Sequence, residues 1–290
     1  VIRLVRREPT SQDELRWFPD RPIESPASSP STDTFGEASR IGQLENLFAA
    51  VHLSGANVSA GRWTAAYKRE ITESRVGTTR ALSEGLAKLK RPPRVLVAAS
   101  AIGLFGNRGD ELLDEDSAAG AGFFPDLCRA WEAATRPAEE AGIRVVHLRF
   151  GVVVGPEGGI LGKLVPIFRL GLGGPLGNGK QWMSWVSEAD AVDAALFALD
   201  QPGISGAYNV VSPEPVTNAD FTRDLGRAVH RPAVIPAPAF ALRLVFGQMA
   251  DEALLASTRA IPKRLPAAGF QFQHPSLPEA LAWALPELPG

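Results

Sequence analysis

A single cysteine, Cys128, stands among 290 residues. No intrachain disulfide framework can therefore brace the chain, and a lone thiol suits a reducing, cytoplasmic compartment. Histidine is scarce too: His52, His147, His230 and His274 are scattered, with no His or Cys partner at ligand spacing, so no metal site is expected. No apolar run approaches the roughly 18 residues that span a bilayer, and no signal peptide is visible, so no membrane partner is expected. Charge of one sign is missing as well. Thirty Lys and Arg against 32 Asp and Glu leave a net charge of -2, and without a long basic run nucleic acid is not an expected partner. The G-x-S-x-G elbow of serine hydrolases is absent, as is any repeat of solenoid length. The chain does not begin with Met but inside an apolar run, Val1–Val5.

What is present reads as alternating strands and helices. In RVLVAASAIGLFG, Arg94–Gly106, a run of small and β-branched apolar residues ends at Ser100 and a Gly-rich exit. Such a run predicts a strand buried on both faces of a parallel sheet, with Ser100 on the lip of a crevice at its carboxyl end. Upstream, VIRLVRREP predicts a strand that exits through Arg6 and Arg7. Residues 19–40 read as an exposed loop, and helical spacing resumes around Ile41–Phe48. Ala49–Leu53 predicts a strand running into Ser54, Gly55, Ala56 and Asn57, small residues that allow close approach of a ligand. Thr64–Lys90 reads as one long helix, on which Glu70 and Arg75 lie too far apart in angle to share a stripe and are expected to face solvent.

Downstream, a helix over Pro125–Glu140, interrupted near Pro137, precedes strands at Arg144–Leu148 and Val152–Val154. A helix at Ala189–Leu199 and a strand at Ala207–Val211 follow. This alternation predicts a doubly wound α/β fold. Two regions break it. Gly158–Trp185 contains GLGGPLGNG, expected as a flexible substrate loop. Ser212–Gly290 is expected as a smaller α+β lobe, with Thr217 capping a helix. The predicted boundaries are 1–157 with 187–212 for the sheet domain, and 158–186 with 213–290 for the second lobe. The acidic run Asp114–Asp116 is expected as a solvated turn, and the tripeptide Arg108–Asp110 as chance.

Several segments together resemble one family. They are HLSGANVSAGRW (His52–Trp63), ESRVGTTRAL (Glu73–Leu82), ASAIGLFGNRGDELLDEDS (Ala99–Ser117), LCRAWEAA (Leu127–Ala134), RFGVVVGPEGG (Arg149–Gly159) and FRLGLGGPLGNGKQWMSWV (Phe168–Val186). PEPVTNADFTRDLGRAVHRP (Pro213–Pro232) and AIPKRLPAAGFQFQHP (Ala260–Pro275) extend the likeness. The chain is similar to atypical extended short-chain dehydrogenase/reductases of the NAD-dependent epimerase/dehydratase superfamily, in the branch termed epimerase family protein.

The resemblance implies a Rossmann-type doubly wound sheet that binds NADP, a small-molecule substrate and a possible homodimer. It places Arg6 and Arg7 at the adenosine 2′-phosphate and Leu53, Ser54 and Gly55 along adenosine and ribose. Glu70 and Arg75 fall in the cofactor pocket, Val153 under the nicotinamide, and Ser100 beside it as the catalytic candidate. The chain departs from the pattern in two ways. The opening strand and Gly-rich turn that meet the pyrophosphate are absent, so the chain as given is expected to bind dinucleotide poorly or to be part of a longer protein. The Tyr-x-x-x-Lys pair is absent as well. Setting Glu132 on the family's helix glutamate places Phe124 and Cys128 where that pair would stand. The expected activity is an NADP-dependent oxidoreductase or epimerase-like reaction, with Asp110 or Glu111 as substitute acid. The alternative is a non-catalytic dinucleotide-sensing or partner-binding module.

Overall fold

The computed structural model of the chain describes residues 1–5, 10–11, 13–17, 44–156 and 158–286. Arg6, Arg7, the expected 19–40 loop and Ile41 lie outside these residues. Strands β1 (Arg3–Val5) and β2 (Glu14–Arg16) form a parallel pair of their own. Residues 44–48 form a turn with Asn46 at φ 62°, where helical spacing was expected, and deliver the chain to β3 (Ala49–His52). Helices α1 (Ala65–Thr72) and α2 (Thr78–Ala87) are the expected long helix, joined by one π-helical turn, Glu73–Gly77.

Next come β4 (Val95–Ala101), β5 (Leu112–Leu113), α3 (Phe123–Ala133), α4 (Arg136–Glu140), β6 (Arg144–Phe150) and β7 (Val152–Val154). After these follow α5 (Gly159–Arg169), β8 (Trp182–Met183), β9 (Trp185–Ser187), α6 (Glu188–Asp200) and β10 (Gly206–Val210). The chain closes with β11 (Val216–Thr217), α7 (Asn218–Ala228), α8 (Ala239–Phe246), β12 (Arg259–Ala260), α9 (Arg264–Ala267) and α10 (Leu277–Ala284). Pro137 sits in the first turn of α4, where its missing N–H leaves no bond unmade, so the break falls just before it. Thr217 caps α7 as expected, accepting from the Asp220 N–H at 3.2 Å.

The main sheet runs β10-β6-β4-β3, all parallel. Strand β4 explains why its sequence is a continuous apolar run. Leu96 faces a layer made with Leu82 and Leu86 of α2 and Ala138 of α4. Val95 and Val97 face the opposite layer, with Ala191, Ala194 and Ala198 of α6. Both faces are dry, and each buried Val or Leu contributes ~1.5–3 kcal/mol relative to exposure.

The GLGGPLGNG stretch is not a free loop. Ile235, Ala237 and Gly177 form backbone bonds across it, from Ile235 N to Gly173 O at 3.0 Å, Ala237 N to Pro175 O at 2.9 Å and Gly177 N to Ala237 O at 2.8 Å. A side chain at Gly174 would start 1.8 Å from the Ile235 carbonyl oxygen, so the glycine there is a packing requirement. The acidic run is also more than a solvated turn. Asp114 and Asp116 pair with Lys263 at the surface, but Glu115 is only 7% exposed. Its carboxylate accepts the N–H groups of Asn209 at 3.0 Å and of Lys263 and Arg264 at 3.2 Å each. One buried carboxylate thus fastens the segment after β12 to the end of the main sheet.

Replacing Glu115 with Ala leaves three amides without an acceptor and should lower unfolding stability by about 3 kcal/mol. Urea denaturation measures this, with Asp116→Asn expected to move the midpoint far less because surface pairs contribute little.

Candidate functional site

In open α/β sheets the crevice for ligands lies beyond the carboxyl ends of the strands. The β3 exit carries Leu53, which is 59% exposed, then Ser54 and Gly55, both exposed. Three hydrogen bonds hold the loop that follows. The Ala56 N–H donates to Ser74 Oγ at 2.9 Å, Trp63 Nε1 donates to Val58 O at 2.8 Å, and the Tyr67 hydroxyl donates to Asn57 O.

Ser74 and Arg75 belong to the π-helical turn, a local widening that often marks functional positions in helices. The turn delivers Arg75 beneath the loop. A Cβ on Gly55 would lie 2.9 Å from Arg75 Cζ, so the glycine is what lets guanidinium and backbone come together. The guanidinium also lies 5.2 Å from the Trp131 ring centroid and donates to Ile71 O at 3.3 Å. Burial pulls its pKa below the ordinary arginine value, yet an arginine so shifted stays charged. Among the described residues no carboxylate pairs with it. Arg75 is therefore a half-buried cation without a carboxylate partner among the described residues, where residue spacing alone suggested solvent exposure and the resemblance a place in the cofactor pocket. Glu70, by contrast, is exposed on α1.

Ser100 does not stand on a lip. Strand β4 continues to Ala101, and Ser100 is 2% exposed inside it. Its hydroxyl donates to Glu132 Oε1 at 2.7 Å. Arg149, beside Ser100 in the sheet register, grips the same carboxylate with Nε to Oε1 at 2.8 Å and Nη2 to Oε2 at 2.9 Å. Burial alone would raise the pKa of Glu132, but the hydrogen bonds and charge of Arg149, with the Ser100 hydroxyl, hold it below the ordinary carboxylate value. An ionised Glu132 only accepts, so the Ser100 proton is committed to it.

Toward the start of α3, at the level where an acid would be sought, the surfaces are apolar. Phe124 meets Trp63 edge-on at 4.8 Å, and a Cβ on Gly103 would touch it at 3.4 Å. Cys128 is 1% exposed, and burial pushes its thiol up to about 12. Of the substitute acids, Asp110 accepts from Trp182 Nε1 at 2.8 Å, and Glu111 is held by Arg108. Val153 lies on β7, half-buried against the main core.

The structure thus brings Gly55 and Arg75 together, with Leu53 and Ser54 adjacent, and leaves Glu70 apart. Glu132 and Arg149 were not singled out as site residues. Their signal was a charged pair written into a buried strand and the helix over it.

A parallel sheet covered by helices on both faces, with its crevice at the strand ends, defines a Rossmann-like α/β protein. Residues 36–211 match the NAD dependent epimerase/dehydratase family, and residues 237–284 match a domain of unknown function, DUF1731. The chain belongs to the NAD dependent epimerase/dehydratase family. It is 44% identical to the epimerase family protein Mb2239 of Mycobacterium bovis over 284 residues, covering 98% of this chain and 89% of that one. A crystal structure of the human epimerase family protein SDR39U1 (isoform 2) with NADPH is 34% identical, with a TM-score of 0.82 and 86% of each chain covered. A nucleoside-diphosphate sugar epimerase from Corynebacterium glutamicum is also 34% identical, with a TM-score of 0.75, covering 98% of this chain and 52% of that one.

His52, the last residue of β3, gives the site a measurable pH signature. The ring is 3% exposed, edge-on to Trp17, and burial lowers its pKa from 6.5 to about 4. Between those values the unfolded chain binds a proton that the folded chain refuses. Stability should therefore fall as pH drops from 6.5 to about 4, by on the order of 3 kcal/mol for this residue. Urea titrations at stepped pH check this, and in His52→Gln the slope over that window should shrink.

Proposed function

We propose that the protein is a cytoplasmic NADP-binding enzyme, an oxidoreductase or epimerase-like catalyst for a small molecule. The observation that carries the reading is Arg75, a half-buried guanidinium beneath Gly55 without a carboxylate partner among the described residues. A desolvated cation beside an open glycine backbone fits a phosphate oxygen of a dinucleotide. Leu53 and Ser54 would flank adenosine and ribose, with Arg6 and Arg7 at the 2′-phosphate and Val153 under the nicotinamide. The human relative bound to NADPH supports the same choice of cofactor. Residues 158–186 and 213–290 would form the lobe that receives substrate.

A bound nicotinamide supplies hydride exchange. The chain's own part is to fix geometry: Glu132 and Arg149 hold Ser100 at the end of the central strand. A second reading, a module that binds dinucleotide without turning it over, is favoured by Phe124 and Cys128. Neither side chain can relay a proton near neutral pH.

Titration of NADPH and NADH against this chain, followed by calorimetry, tests the reading. Arg75→Ala should weaken both nucleotides by roughly tenfold or more, while an Arg6/Arg7 double alanine variant should weaken NADPH alone. Equal loss of NADH in the double variant would remove the 2′-phosphate assignment, and saturable binding of neither nucleotide would remove the proposal. Hydride exchange against a carbonyl panel then separates the readings: exchange that falls in Ser100→Ala supports the enzyme, and tight binding without exchange supports the sensor.

A further inference from the structure

The C-terminal half carries a cationic groove that takes no part in the strand-end site. Helix α7 buries Phe221 and Leu225 against α5 and α10. Arg223 and Arg227 extend from α7 toward the chain that follows it, and Arg231 from that chain; together with His230 they line a trough of about 490 Å³. Arg227 and His230 also line an adjoining hollow of about 360 Å³ that reaches Leu281 and Leu285 of the α10 region. The trough exists because residues 231–233 fold back onto the helix. A Cβ on Gly226 would lie 2.9 Å from both Arg231 O and Ala233 Cβ, so only glycine allows that return.

Two features mark the groove as more than a solvated helix face. The first is the charge count on a chain whose net charge is -2. Asp220 and Asp224 answer Arg223 and Arg227. Arg231 is answered by no carboxylate among the described residues. It donates only to the carbonyl oxygens of Arg169 and His230, each at 3.2 Å, which fix the guanidinium without neutralising it. The second is His230. It occupies the left-handed position just past the end of α7, at φ 54°, with its own N–H on Arg227 O and the Arg231 N–H on Gly226 O. That position favours glycine, because a side chain there crowds its own backbone. The sequence nevertheless places an imidazole there, at the junction of the two hollows.

We propose that this groove is a binding site for a small molecule bearing phosphate groups, with Arg231, Arg227 and His230 as its donors. A fixed guanidinium pairs two N–H groups with a phosphate, and the open trough leaves those groups accessible to one. The proposal does not depend on dinucleotide binding at the strand ends.

Calorimetric titration with sodium pyrophosphate at constant ionic strength tests it, in the Arg75→Ala background so that the strand-end cation does not contribute. Saturable one-to-one binding with Kd below about 1 mM is expected. Arg231→Ala and His230→Gly should each weaken it roughly tenfold, while Arg243→Ala, which removes an exposed α8 arginine paired with Asp251, should leave it unchanged. His230→Gly is the discriminating variant: glycine accepts the left-handed backbone freely, so its melting temperature should hold or rise while affinity falls. Absence of saturable heat, affinity unchanged in the groove variants, or equal loss in Arg243→Ala would overturn the proposal. So would an acidic peptide or oligonucleotide that binds there and is not displaced by pyrophosphate.

Discussion

Glu132 places a negative charge between the central sheet and α3, and much of the site's geometry follows from how that charge is answered. A carboxylate in a dry interior is costly unless an opposite charge and hydrogen bonds meet it. Arg149 supplies both through two N–H groups, and Ser100 supplies a third donor. The arrangement requires the parallel register of β4 and β6, which sets Ser100 beside Arg149 under the same helix. Slipping either strand by one residue would turn one partner to the opposite face of the sheet. The pair thus reinforces the same register that the buried valines of β4 favour through packing.

The cost of this solution is borne by Ser100. A serine that donates to an ionised carboxylate has only lone pairs left to offer. In the strand-end crevice the unanswered charge lies elsewhere, on Arg75, and the two halves of the site are built differently. Glu132 and Arg149 neutralise each other and are rigid. Arg75 is packed against Trp131 and held by backbone, but its charge is unanswered among the described residues. Neutral, mutually saturated polar groups suit a framework, whereas an unsaturated cation suits a ligand.

Much of this was legible in the sequence because it depends on local pattern. The run Val95–Ala101 reads as a two-faced buried strand, Thr217 reads as a cap, and the alternation of strands and helices reads as a doubly wound sheet. What was not legible depends on meetings between distant segments. Residue spacing alone turns Arg75 toward solvent; it lies under Gly55 instead, within a π-helical turn that no residue pattern announced. Asp114, Glu115 and Asp116 are alike as letters, and only the return of residues 263–264 buries the middle one. Ser100 read as a lip because a polar residue after an apolar run usually ends a strand, while its burial depends on a carboxylate 32 residues away.

Phe124 shows how a residue without a polar group can serve a contact between distant segments. The start of α3 is not merely deprived of a hydroxyl; it is covered. Glu252 accepts the Phe124 N–H at 3.1 Å, so the segment after α8 caps the helix, and the negative side chain sits where the helix dipole favours it. Met249, Phe246 and Leu254 then pack with Trp63, Phe123 and Phe124 in one apolar cluster. A tyrosine at this position would bring a hydroxyl into that cluster and require a partner for it. Phenylalanine removes the requirement and lets the C-terminal segment seat on α3 through apolar contact. The buried Cys128 one turn further on is consistent with the same choice, since a lysine there would carry an unpaired charge into a dry helix face. At this end of the helix the C-terminal segment therefore closes onto α3 through apolar contact, with one carboxylate capping the helix start.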